Sequence, residues 1–63
     1  MKIKVWTTNQ SNNEVVRVHR YVKSVELTCG PVYTTLDIEY EDGELYKDAI
    51  RNDSEKVEIV NHD

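Results

Sequence analysis

The most regular stretch of the chain runs from Val32 to Glu41. Val32, Thr34, Leu36, Ile38 and Tyr40 alternate with Tyr33, Thr35, Asp37, Glu39 and Glu41. Successive side chains of a strand point to opposite faces, so this spacing predicts a strand that is oily on one side and acidic on the other. Asp42-Gly43 follows directly. That dipeptide suits a two-residue type I′ hairpin turn, which needs positive φ at both central positions. Such a turn sets Tyr40 opposite Leu45 and Glu39 opposite Tyr46. A four-residue loop from Glu41 to Glu44 serves equally well and separates two facing glutamates. On the return strand Leu45, Lys47 and Ala49 share one face, and Tyr46 and Ile50 share the other. Either that strand ends near Lys47, or it is an edge strand whose inward lysine discourages aggregation.

The remaining pattern is also extended. Ile3 and Val5 alternate with Lys2, Lys4 and Trp6 in a first strand, and the polar run 9–13 makes a turn. In residues 14–28, Val15, Val18, Val22 and Val25 recur at helical spacing, which offers a helix as the alternative. Their β-branched side chains lose rotamer freedom in a helix and pack well on a pleated surface. The strand reading puts Val16, Val18 and Val22 on one face and Arg17, His19, Tyr21 and Lys23 on the other. After Lys23-Ser24 the apolar set passes to Val25 and Leu27, the parity change that a β-bulge produces. Two segments are therefore expected, at 14–22 and 24–28, hinged near Ser24. Cys29-Gly30-Pro31 interrupts the chain. Lys56 to Val60 gives a last strand with Val57 and Ile59 inward, and residues 61–63 are expected to fray.

These elements predict an all-β, mainly antiparallel fold. Five or six short strands form a meander, a curled sheet or a small barrel of SH3 or OB type. The alternative is α+β, with a helix at 14–28. A chain of 63 residues holds one domain, 1–63. At this length a core seldom supplies more than about 3–5 kcal/mol, and small proteins often add disulfides, a metal or a partner. The single cysteine rules out an internal disulfide. Cys29, His19 and His62 show no metal-ligand spacing, so no metal and no cofactor are expected. A homo-oligomer is the remaining route to extra stability. No charged, apolar leader opens the sequence and no apolar run reaches the length of a membrane span, so the expected location is cytoplasmic.

The net charge of −4 argues against nucleic acid as a partner. The charge is also lopsided. Residues 1–30 carry five Lys and Arg against two acids, whereas residues 31–63 carry three against ten. Any functional surface is expected to follow that division.

Several segments together resemble a family. The opening Met1-Lys2-Ile3-Lys4-Val5-Trp6, the central Lys23-Ser24-Val25-Glu26-Leu27, the hairpin Glu39-Tyr40-Glu41-Asp42-Gly43 and the closing Glu55-Lys56-Val57-Glu58-Ile59-Val60 are similar to short uncharacterised β-rich reading frames in phages and prophages of Gram-positive bacteria. The resemblance implies an accessory protein acting in the host cytoplasm. It carries no functional residue with it.

Two surfaces are candidates. Asp37, Glu39, Glu41, Asp42 and Glu44 make an acidic hairpin that suits a basic protein partner. The bland reading is a solvated outer face, or one paired internally with Arg17, Arg20 or Lys23. A calcium loop is excluded, because the glycine falls at the seventh position and the flanks are strands. The alternative surface is basic and aromatic: Lys2, Lys4, Trp6, Arg17 and Tyr21 could stack and pair with single-stranded nucleic acid. Cys29 lacks an evident activating base, a domain this small has little volume for a ligand cavity, and no catalytic constellation is defensible. The sequence therefore predicts a non-catalytic protein-interaction module that binds through its acidic hairpin or self-associates.

Overall fold

The computed structural model describes residues 1–8 and 13–62; most of the polar run 9–13, and Asp63, lie outside the described residues. Six strands follow one another: β1 (Lys2–Thr7), β2 (Val15–His19), β3 (Val22–Cys29), β4 (Tyr33–Tyr40), β5 (Leu45–Arg51) and β6 (Glu55–Val60). They form two antiparallel three-stranded sheets, in the orders β2-β1-β6 and β3-β4-β5. Among the described residues no segment is helical, so the helix at 14–28 does not form. Nor do the ladders close into a barrel. They face each other across one core made of Ile3 and Val5 from one sheet and Val22, Leu36, Ile38 and Ile50 from the other.

Residues 14–28 do divide in two, but the break lies at Arg20-Tyr21 rather than at Ser24. Tyr21 takes a φ of 58°, the left-handed region that a bulky side chain enters only under constraint. The Glu41 N–H donates to the Tyr21 carbonyl, and the Met1 ammonium and Val22 N–H exchange bonds with Val22 and Met1 carbonyls. These bonds tie the corner to both sheets. The parity change at Lys23-Ser24 is present as a register shift between Val22 and Ser24 against β4.

The orientation of β2 is the reverse of the expected one. Its partners are Ile3 opposite His19 and Val5 opposite Arg17. Because Ile3 and Val5 are fully buried, the inward residues of β2 are Arg17 and His19. Val16 and Val18 point outward, at 44% and 41% exposed. Valine supplies the strand propensity here, and polar side chains occupy the inner face.

The hairpin takes neither expected connection: Tyr40 pairs with Glu44, which leaves the three-residue loop Glu41 to Gly43. Gly43 N–H donates to the Tyr40 carbonyl and Tyr40 N–H to the Glu44 carbonyl. Asp42 accepts from the Glu44 amide through its carboxylate, and Gly43 takes a φ of 92°. Only the glycine has positive φ in this turn, so it is a type I turn followed by a left-handed glycine, not a type I′ pair. The register moves by one: Glu39 faces Leu45, Ile38 faces Tyr46 and Leu36 faces Asp48. Consequently Lys47 is not inward. It lies on the outer face opposite Asp37, and the inward charge on β5 is Asp48. Substituting Gly43→Ala forces a side chain into positive φ and is expected to cost about 1 kcal/mol, read as a lower urea midpoint with unchanged slope.

Candidate functional site

The inner polar group is assembled from strands far apart in sequence. Asp48 Oδ2 accepts from His19 Nε2 at 2.9 Å and from Arg17 Nε at 3.1 Å. Its Oδ1 accepts from the Ala49 N–H at 2.8 Å. With Nε2–H directed at the carboxylate, Nδ1 of a neutral His19 ring accepts from the Tyr40 hydroxyl at 2.9 Å. Arg17 also reaches the Ala49 carbonyl and lies 3.7 Å from Glu55. The side chains of His19 and Asp48 are each only 10% exposed. A carboxylate this far from water needs such partners. Among the described residues no buried side-chain nitrogen or oxygen lacks one.

The electrostatics of the two acids in this group diverge. Burial alone pushes the Asp48 carboxyl up, but the hydrogen bonds from His19, Ala49 and Arg17 outweigh it and hold the group below its ordinary value of 3.8. Burial, followed by the nearby Tyr46, Asp48, Asp42 and Glu44, pushes the Tyr40 hydroxyl up. A phenolate nucleophile or base requires the opposite shift. The Asp48–His19–Tyr40 chain is thus suited to holding rings in position.

Those rings form the wall of a surface hollow. The His19 ring lies 5.6 Å from that of Tyr46 and 6.3 Å from that of Tyr40, both tilted. Tyr40 and Tyr46, with Tyr21, Arg20, Leu45, Asp42 and Glu44, line an open hollow of about 640 Å³ at the hairpin end of the β3-β4-β5 sheet. Leu45 is 79% exposed, Tyr21 62% and Tyr46 51%. The space is a cleft at the surface, not an enclosed cavity.

The acidic residues separate into two groups. Asp37 and Glu39 stand on the outer face of β4, where Lys47 lies 3.6 Å from Asp37 and Lys23 lies 3.7 Å from Glu39. The internal pairing considered from the sequence therefore exists for Lys23, while Arg17 serves Asp48. Glu41, Asp42 and Glu44 lie in the turn, and two of them edge the hollow. The basic and aromatic set is brought together only in part: Lys2, Lys4 and Trp6 share the outer face of β1, while Arg17 and Tyr21 lie elsewhere. Lys4 faces Val18 and Glu58, Trp6 Nε1 donates to Glu58 at 3.2 Å, and Lys56 sits over the indole. Arg17 belongs to the opposite face of that sheet, and Tyr21 lies at the corner beside the hairpin.

Sequence reasoning missed Asp48, His19, Tyr40 and Tyr46. Asp48 did leave a trace, since it shares its parity with Tyr46 and Ile50. Cys29 is exposed at the end of β3, while both ring nitrogens of His19 are engaged elsewhere. Among the described residues no three His, Cys, Asp or Glu side chains are grouped to hold a metal ion, and no helix is long and apolar enough to cross a membrane. The chain matches no family model, no curated protein and no solved structure.

Proposed function

We propose that this protein is a protein-binding module whose contact surface is the tip of the β4–β5 hairpin and the Tyr21 corner beside it. The observation that supports this reading most is the exposure of Leu45, Tyr21 and Tyr46 around a hollow edged by Asp42 and Glu44. A small core gains about 1.5–3 kcal/mol from each large apolar side chain it buries. This chain leaves three such groups in water at one place, and tyrosine is enriched among residues that dominate binding energy. The uncompensated acids beside them favour a basic partner and speed its approach. A role as a phage or prophage accessory protein is consistent with this reading.

The reading is tested with a lysine- and arginine-rich peptide of about ten residues. Binding is expected to weaken with salt, because exposed charges are screened. The double variant Glu41→Lys, Glu44→Lys is expected to lose it at least tenfold while keeping the wild-type circular dichroism. Unchanged affinity in that variant would remove the hairpin tip as the binding surface.

Self-association is a second reading, favoured by Val15, Val16 and Val18 standing exposed on β2, an edge strand of its sheet. Light scattering is expected to give a dimer mass for wild type and a monomer mass for Val16→Lys, Val18→Lys under this reading. A monomer mass for the wild type rejects it.

A further inference from the structure

The hollow at the hairpin tip has a more specific chemistry than a generally acidic surface. We infer that it is a receptor for one cationic side chain, an arginine or a lysine of the partner, held over the rings of Tyr21, Tyr40 and Tyr46 and compensated by Asp42 and Glu44. This inference rests on the protein-binding reading above and names the ligand that the same surface takes.

Three features carry it. The first is composition: three of the four tyrosines of the chain line one hollow together with two carboxylates. A ring face is electronegative and attracts a cation within about 6 Å, and the attraction grows as water is excluded. The second is preorganisation. His19 is hydrogen-bonded to Tyr40 and lies against Tyr46, while Asp48 fixes His19 from behind. Two walls of the hollow are thereby held in place before any ligand arrives, which lowers the entropic cost of binding. The third is the balance of charge. The acids on the sheet face already have lysines, Lys47 at Asp37 and Lys23 at Glu39, whereas no ion pair is recorded among the described residues for Asp42 or Glu44. The acids without an ion-pair partner therefore lie where the rings are.

One group opposes the ligand. Arg20 also lines the hollow, so an incoming cation meets a like charge there. Removing that charge is expected to tighten binding, whereas a purely apolar hollow would not respond.

The test uses acetyl-Gly-Arg-Gly-amide, its lysine counterpart and its citrulline counterpart, titrated into the full chain and followed by amide chemical shifts. The arginine and lysine peptides are expected to give saturable shifts at Tyr21, Leu45 and Tyr46, and the uncharged citrulline peptide none. Tyr46→Leu keeps apolar bulk and removes the ring, and is expected to weaken the arginine peptide about fivefold. Tyr46→Phe keeps the ring face and is expected to bind like wild type. Arg20→Gln is expected to bind more tightly. Equal shifts from citrulline, or equal weakening by Tyr46→Phe and Tyr46→Leu, overturn the inference. Should the ten-residue basic peptide still bind and depend on Glu41 and Glu44 while Tyr46→Leu leaves it untouched, the cation receptor falls and the protein-binding reading stands. Should that peptide not bind at all, both fall.

Discussion

Leu36→Ala is expected to unfold the domain. Leu36 is fully buried in the middle of β4, and the core contains only six buried side chains among the described residues. Truncating a buried leucine to alanine costs about 2–5 kcal/mol, the lost transfer energy plus a cavity that neighbours fill only in part. A core of this size supplies about 3–5 kcal/mol in all, so the variant is expected to be largely unfolded at 25 °C. The measurement is the amide spectrum, which should collapse to narrow random-coil dispersion. Leu45→Ala, at the other extreme of exposure, is expected to change stability by less than about 0.5 kcal/mol. A type I′ register would turn Leu45 inward opposite Tyr40 and make the two substitutions comparably harmful. Their contrast therefore reports on register as well as on burial.

The second large effect is expected at Asp48. Asp48→Ala leaves Arg17 Nε, His19 Nε2 and the Ala49 N–H without their acceptor in a partly dry site. Hydrogen bonds to a charged group contribute about 1.5–3 kcal/mol, and an abandoned donor retains its desolvation cost. Arg17 is about one-third exposed and can recover water, which limits the loss to about 2–3 kcal/mol. The pH dependence has a definite sign. The folded-state value of Asp48 is lowered, so its contribution is complete above the ordinary carboxylate value of 3.8 and is lost as pH falls through the lowered one. Urea midpoints between pH 2 and pH 5 are expected to fall more steeply for wild type than for Asp48→Asn. Parallel curves would show that another acid carries the acid limb. Either substitution is also expected to loosen Tyr40 and Tyr46, and so to weaken cation binding at a site it does not touch.

The parts of the fold legible in the sequence are those encoded by neighbours. The alternation from Val32 to Tyr40 gives the inward direction of Leu36 and Ile38 because a strand of period two repeats over the whole stretch. The bulge at Lys23-Ser24 is legible for the same reason. The register of the hairpin was missed because Asp-Gly also fits a three-residue loop that ends in the glycine, one residue longer than the two-residue turn. A shift of one residue exchanges the faces of the entire return strand. That exchange alone moves Leu45 out and Asp48 in. The reversal of β2 was hidden by a different cause. Valines ordinarily mark an inner face, and here the polar side chains Arg17 and His19 turn inward because Asp48 waits for them 31 and 29 residues away. No local pattern encodes a bond over that distance. The candidate site followed the same division: its acids were visible along one hairpin, whereas its rings come from β4, β5 and the Tyr21 corner and meet only after folding.

The inward turn of Asp48 is the claim on which the site depends, and a nuclear Overhauser spectrum of the wild-type protein tests it directly. Ring protons of His19 should show cross-peaks to the rings of both Tyr40 and Tyr46, with the Leu45 methyl groups showing none to Leu36 or Ile50. Cross-peaks from Leu45 into that core, with a His19 ring lacking contact to either tyrosine, would contradict the hairpin register and the hollow built on it.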